Sequence, residues 1–367
     1  MPLYPLYALL FADHGLSEAG ISALFALWSV TTLVLEVPSG AWADVSSRPR
    51  MLAISGVLSA AAFALWVLVP STPVFALGFV LWGVAGALSS GTLEALAYDA
   101  LAGWEATERY PTLMGRARAG YLAATLGATA LAAPLVTVGG YVLPGLVGAG
   151  ASLAGAALAL TLPEQSRPRR SRTSPRAAAA EWWAMLRQGV GEVSRTALLR
   201  RAVIVTALLT GLMALDEYLP LLAAAHGATP AVAALALAGV GVAESACAAL
   251  AGRVARARGP VLGGLLAVAA VAVGAGVLLP LGPGFALVAA GWGVLQMLLV
   301  VVETRVQDAV EGDARATVTS MAGLGSETIA LGVLAAVAAG SVWFALPVLF
   351  AALTVPLLVI AVLVGRQ

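Results

Sequence analysis

Gly40-Ala41-Trp42-Ala43-Asp44-Val45-Ser46-Ser47-Arg48-Pro49-Arg50 separates two apolar runs, roughly 17–41 and 51–70. A helix crosses a bilayer with about 20 apolar residues, so each run is long enough to span. A loop this short and this charged between two spans reads as a tight cytoplasmic turn. Gly40 and Ala43 are small enough to let two helices approach closely. Asp44 supplies an acceptor near the end of one helix, and Arg48 and Arg50 supply donors at the start of the next.

The whole chain shares this character. Its 367 residues are 60% hydrophobic and 11% charged, with a mean hydropathy of +0.95. Soluble domains carry about 25% charged residues, so the composition is that of a polytopic membrane protein and the predicted class is all-α. The net charge is +1, and every basic residue is Arg. Those Arg residues lie between hydrophobic spans, which argues against a nucleic-acid partner. Cys247 is the one cysteine and sits in an apolar run, so there is no disulfide framework. With His14 and His226 the only histidines, no metal site is expected. No Walker motif occurs, and Gly323-Leu324-Gly325 follows no strand, so neither ATP nor a dinucleotide is expected as cofactor. An intramembrane enzyme would need His, Cys or metal-binding clusters inside its spans; the expectation is no enzyme. The N-terminus lacks a basic leader and runs straight into an apolar segment.

Residues 3–13 are apolar but too short to span and read as the outer half of a first helix. Spans are predicted near 17–41, 51–70, 74–100, 111–138 and 141–162, then near 200–222, 230–252, 260–281, 284–308, 315–339 and 342–364. Between the two sets, residues 163–198 hold Pro163, Pro168, Pro175 and the cluster Arg167, Arg169, Arg170, Arg172 and Arg176. Within this break, 177–195 places Trp182, Leu186, Val190 and Val193 at helical spacing, the pattern of an amphipathic helix on the membrane surface. The predicted organisation is an N-terminal bundle over 1–162, a cytoplasmic linker over 163–198 and a C-terminal bundle over 199–367. Arg48, Arg50, Arg109, Arg116, Arg118, Arg253, Arg256, Arg258 and Arg305 fall on or near one side, and the opposite loops carry no Arg. The positive-inside rule makes that side cytoplasmic, with both termini there once the first helix is completed.

The two halves repeat each other. Asp13-His14-Gly15 parallels Ala225-His226-Gly227. Glu36 followed by Arg48 and Arg50 parallels Glu244 followed by Arg256 and Arg258, and Glu94 with Asp99 parallels Glu303 with Asp308. Matched pairs in order argue for a parallel duplication. The comparison predicts that the chain lacks the inner half of its first helix, because about 26 residues from Arg200 precede His226 and only 13 precede His14.

The turn, with its G-x-x-x-D-x-x-x-R-x-R pattern, resembles the signature between the second and third helices of the major facilitator superfamily. The span pattern, the central basic loop and the duplication extend the resemblance over essentially the whole chain. It implies two pseudo-symmetric six-helix bundles around a central cavity, and secondary active transport of a small-molecule substrate by alternating access. It also implies that Gly40, Asp44, Arg48 and Arg50 of the turn work with Asp99, at the cytoplasmic end of helix four, as a conformational gate. The competing reading is an ordinary interfacial salt bridge that only orients helices. The second half keeps Arg256 and Asp308 but has Gly252 in place of Asp44, so its latch is expected to be weaker. Ala133-Pro134 and Gly139-Gly140 only faintly resemble the antiporter motif of that superfamily, since the spacing differs.

An ionisable group in lipid costs at least about 2.5–3.5 kcal/mol, so each intramembrane acid needs a reason. Glu36, about two turns inside Asp44, and its repeat mate Glu244 are candidates for carrying protons, or for holding helices by hydrogen bonds. Asp216-Glu217 precedes Pro220, which frees a carbonyl near Asp216 and loosens the helix there. This pair is the best single candidate for proton or cation binding, against a pair wetted at the outer interface. Glu94 with Tyr98, and Glu303 with Gln296, stand at helical spacings that set each pair on one face, as candidates for the substrate cavity. The alternative is that Glu94 pairs with an Arg near the cytoplasmic end. The leading expectation is proton-coupled efflux of a small organic molecule, with uptake by symport and a non-transporting scaffold as rivals. Arg, Ala, Gly and Val usage points to a GC-rich bacterial genome, hence an inner (plasma) membrane, and a monomer in the lipid bilayer is expected.

Overall fold

The computed structural model describes residues 1–43, 46–164, 184, 187, 189–191, 193–194, 197–309 and 314–366, with side chains inside helices excepted at 36–43, 197–198, 307–309 and 314–317. Asp44, the Arg167–Arg176 cluster, most of the amphipathic segment 177–195, and the side chains of Glu36 and Asp308 lie outside the described residues.

Among the described residues the structure is helical and without strands. In hydrocarbon no water satisfies backbone N–H and C=O groups, so the chain satisfies them within each helix. The first half holds α1 (Tyr7–Asp13), α2 (Glu18–Ala43), α3 (Arg48–Leu68), α4 (Thr72–Ser89), α5 (Thr92–Gly103), α6 (Tyr110–Gly139) and α7 (Val142–Ala159). The second holds α8 (Ala197–Leu212), α9 (Leu219–Ala225), α10 (Pro230–Ala249), α11 (Ala251–Val254), α12 (Gly259–Gly276), α13 (Leu281–Ala309), α14 (Ala314–Gly340) and α15 (Leu346–Gly365). Eleven helical stretches among these residues are long and apolar enough to cross a membrane, and they coincide with the eleven spans predicted from sequence. The short α1 and the 3-10 turn before it, Tyr4–Leu6, are not among them.

The chain divides into two compact units: Met1–Leu16 with Leu24–Trp182, and Ser17–Ala23 with Trp183–Gln367. In the first unit α3 packs on α4 and α7; in the second α12 packs on α13 and α15, the same pairing one repeat later. The repeat is also visible in two turns. α1 and α9 end at His14 and His226, whose Nδ1 atoms stand 2.7 Å from the Leu10 carbonyl and 2.9 Å from the Leu222 carbonyl. A carbonyl only accepts, so Nδ1 carries the proton in both rings. Gly15 and Gly227 follow at φ of 86° and 83°, a left-handed conformation that glycine adopts without steric cost. Ser17 and Thr229 then cap the next helices, accepting the N–H groups of Gly20 at 3.2 Å and Val232 at 3.4 Å.

The first unit is held by aromatic packing. Tyr7, Phe11, Phe63, Trp66, Phe75 and Phe79 are buried, and the Trp66 ring contacts those of Tyr7, Phe11, Phe63 and Phe79 at 4.8–5.7 Å. Its indole N–H donates to the Phe75 carbonyl at 3.0 Å, which removes the cost of burying that donor. Gly78 makes room for this arrangement, since a Cβ there would overlap the Trp66 indole. Lipid tails are as apolar as these side chains, so close packing of this kind holds the helices together.

Candidate functional site

The cytoplasmic turn is built around Arg48, the first residue of α3. Ser47 caps that helix by accepting the Arg50 N–H at 3.5 Å, and Pro49 occupies the first turn, where a missing N–H costs nothing. The cap sets Arg48 at a helix N-terminus, where its backbone N–H has no partner inside the helix. Glu164, just beyond α7, fills that vacancy by accepting the Arg48 N–H at 2.9 Å, and its negative charge suits the positive end of the helix dipole. The Arg48 side chain turns to α5 instead, and its Nη1 donates to Asp99 Oδ2 at 2.8 Å. Arg48 is 11% exposed and Asp99 34%. The structure thus brings together Arg48 and Asp99 of the predicted group and leaves Arg50 exposed, with Gly40 inside α2.

In the second unit, Arg256 of the expected latch is exposed in the loop before α12, and the side chain of Asp308 lies outside the described residues. Arg305 on α13 reaches that loop, its Nη2 donating to the carbonyls of Ala255 at 3.1 Å and Ala257 at 2.6 Å. Glu164 and Arg305 were both missed from sequence because each engages backbone groups.

The acidic candidates Asp216 and Glu217 lie in a 3-10 stretch, Met213–Tyr218, between α8 and α9. Pro220, in the first turn of α9, cannot donate an N–H, and the helix responds by tightening where the sequence reading expected it to loosen. The Asp216 carbonyl accepts the N–H of Leu219. Both acids are half-buried, as is Glu244 on α10, and the charges of Glu217 and Glu244 act on Asp216. The structure therefore gathers three of the predicted proton-coupling candidates, Asp216, Glu217 and Glu244, within one unit. Beside them, the Tyr218 hydroxyl is buried 2.6 Å from that of Ser22.

The cavity candidates separate. Glu94 and Tyr98 are exposed on α5, and the Tyr98 ring packs edge-on against Tyr110 at 5.5 Å. Glu303 lines a cavity of about 480 Å³ within the second unit. Thr206 and Thr210 face it from α8, Glu303 and Thr304 from α13, and Thr319 and Ser326 from α14. Gln296, seven residues before Glu303, is half-buried on the same helix. The hydroxyls were not singled out from sequence, although their spacing carries a signal. Thr206 and Thr210 are four apart, and Thr319, Ala322, Gly323 and Ser326 form one helical face. Thr210 stands out, since its hydroxyl is buried with no hydrogen-bond partner among the described residues. Such a group costs about 1–3 kcal/mol when left unmade.

The profile of the Major Facilitator Superfamily matches residues 1–329 of this chain. Among solved structures, the nucleoside transporter NupG superimposes with a TM-score of 0.73 at 14% identity, covering 99% of this chain and 93% of that one. A bacterial homologue of the human lysosomal transporter Spinster, in an inward-facing and unoccupied conformation, gives a TM-score of 0.76 at 15% identity, covering 100% of this chain and 92% of that one. At such identities the likeness is one of fold. No curated protein matches the chain.

Proposed function

The chain belongs to the major facilitator superfamily, and from that premise we propose that it is a secondary transporter that exports a small organic solute in exchange for protons. Its fold and family are those of transporters. The observation that carries the proton-coupled reading is the acid group of the second unit. Asp216, Glu217 and Glu244 stand within predicted spans, and the charges of Glu217 and Glu244 act on Asp216. Keeping three carboxylates together in a membrane is costly unless protons bind and leave them. A 3-10 segment places Asp216 and Glu217 at a break in the helix, where backbone geometry changes at little cost.

In this reading Arg48 and Asp99 serve as a cytoplasmic gate, joined in one state of the transport cycle and parted in the other. The protein works as a monomer in a bacterial inner membrane, with its C-terminus in the cytoplasm. Inverted membrane vesicles test the proposal directly. With a pH-sensitive dye and a panel of lipophilic cations, sugars and amino acids, one chemical class dissipates an imposed pH gradient. Solute movement that leaves the gradient untouched would refute proton exchange, and quenching that deepens with solute would reverse the direction.

A further inference from the structure

Two buried hydroxyls join the start of α2 to the stretch that carries the acid pair. The Tyr218 hydroxyl stands 2.6 Å from that of Ser22, and the two residues are 0% and 1% exposed. Tyr218 closes the 3-10 stretch Met213–Tyr218 and directly follows Glu217. Ser22 lies one turn after Glu18 in α2, and its hydroxyl donates to the Glu18 carbonyl at 2.7 Å. A hydroxyl has one proton and two lone pairs. Ser22 directs its proton to that carbonyl, so Tyr218 is the donor between the two hydroxyls, and the Tyr218 oxygen can also accept.

One end of this pair leads to water. Glu18 lines a cavity of about 440 Å³ with Ser17, Ser341 and the loop 342–345. Ser17 and residues 342–345 are exposed. α14 begins at the Arg-bearing end, with Arg315, and finishes at Gly340, so the cavity lies at the opposite end of the unit, the outer face by the charge pattern. The other end leads to the acid group. The charges of Glu217 and Glu18 both act on Tyr218, and those of Glu217 and Glu244 act on Asp216. All of these groups belong to the second unit. Two hydroxyls that merely satisfied each other would need no acid beside them; here one stands on either side. Protons cross a dry layer of a membrane protein along side chains that can take them up and release them.

We infer that Glu18, Ser22 and Tyr218 form the outer branch of the proton path, carrying protons between the external cavity and the acids Glu217 and Asp216. Glu18 takes a proton from water in the cavity. The hydroxyls turn, and each then gains one O–H bond as it gives up another. Ser22 and Tyr218 end the passage neutral, and Glu217 gains the proton that Glu18 lost. The path deepens the proton-exchange reading and rests on it.

The test uses the full chain in proteoliposomes holding pyranine, with the panel solute that wild type moves. It reads solute-driven change of internal pH beside exchange of labelled for unlabelled solute. Ser22→Ala combined with Tyr218→Phe removes both hydroxyls and leaves neither with an unmade hydrogen bond, so its thermal midpoint stays within a few degrees of wild type. In this double variant solute-driven proton movement falls about tenfold or more while labelled exchange continues. Glu18→Gln gives the same result, and Ser22→Thr, which keeps a hydroxyl, couples as wild type does. Wild-type proton movement in the double variant or in Glu18→Gln overturns the path and leaves the exchange reading standing. Equal loss of proton movement and labelled exchange in the double variant shows that the pair only holds the helices, and also overturns the path. A wild type that moves solute without protons overturns the exchange reading, and the path with it.

Discussion

Arg48 and Asp99 are 51 positions apart in sequence and meet at 2.8 Å, the guanidinium at the start of α3 donating to the carboxylate on α5. The pair is asymmetric, with Arg48 nearly enclosed and Asp99 a third exposed. Loss of Asp99 therefore acts on a mostly buried cation, while loss of Arg48 acts on a carboxylate that water reaches.

Asp99→Asn is expected to destabilise the first unit by about 1–2 kcal/mol, between the ~0–1 of a surface pair and the ~3–5 of a broken buried one. Cys247→Ser removes the only native thiol, so single cysteines placed near the turn report its opening. Thiol labelling there should quicken in Asp99→Asn. An unchanged labelling rate would mean that the pair orients helices and gates nothing.

Arg305 holds the loop before α12 through two carbonyls, those of Ala255 and Ala257. A hydrogen bond from a charged group contributes about 1.5–3 kcal/mol, so Arg305→Ala should lower stability by an amount in that range. Lysine has no planar fork and should recover only part of the loss. Hydrogen exchange of residues 255–258 is the readout, and protection equal to wild type in Arg305→Ala would show that the contact does not hold the loop.

Two glycines on α4 give opposite expectations. A Cβ on Gly78 would overlap the Trp66 indole, so Gly78→Ala should cost about 1–3 kcal/mol by overpacking. Gly86 has nothing within 4 Å of its would-be Cβ, so Gly86→Ala should stabilise by about 0.5–1 kcal/mol through helix propensity alone. Denaturation midpoints of the two variants on the same side of wild type would contradict the packing described for Trp66.

The spans and the duplication were legible in the sequence because charge is rare in this chain, while the Arg48–Asp99 pair was what the family resemblance implied. Against long apolar runs, each Arg or Asp marks a boundary. Glu164 and Arg305 carry charge too, but their partners are the Arg48 N–H and the carbonyls of Ala255 and Ala257, which no residue type announces. The hydroxyl lining was hidden for another reason. Thr206, Thr304 and Ser326 satisfy their protons on their own helices, so they sit in apolar runs without apparent need of explanation. Only the convergence of α8, α13 and α14 turns them into a cavity wall. The 3-10 stretch at Asp216 was half legible, since Pro220 marks the disturbance but its direction depends on how neighbouring backbone groups re-pair.

Proton coupling through Asp216 is the central claim, and proteoliposomes holding pyranine test it most directly, comparing wild type with Asp216→Asn for the panel solute that wild type moves. The account predicts that the variant still exchanges labelled for unlabelled solute across the membrane, yet shows no solute-driven change of internal pH. A variant that moves protons and solute together as wild type does would contradict it.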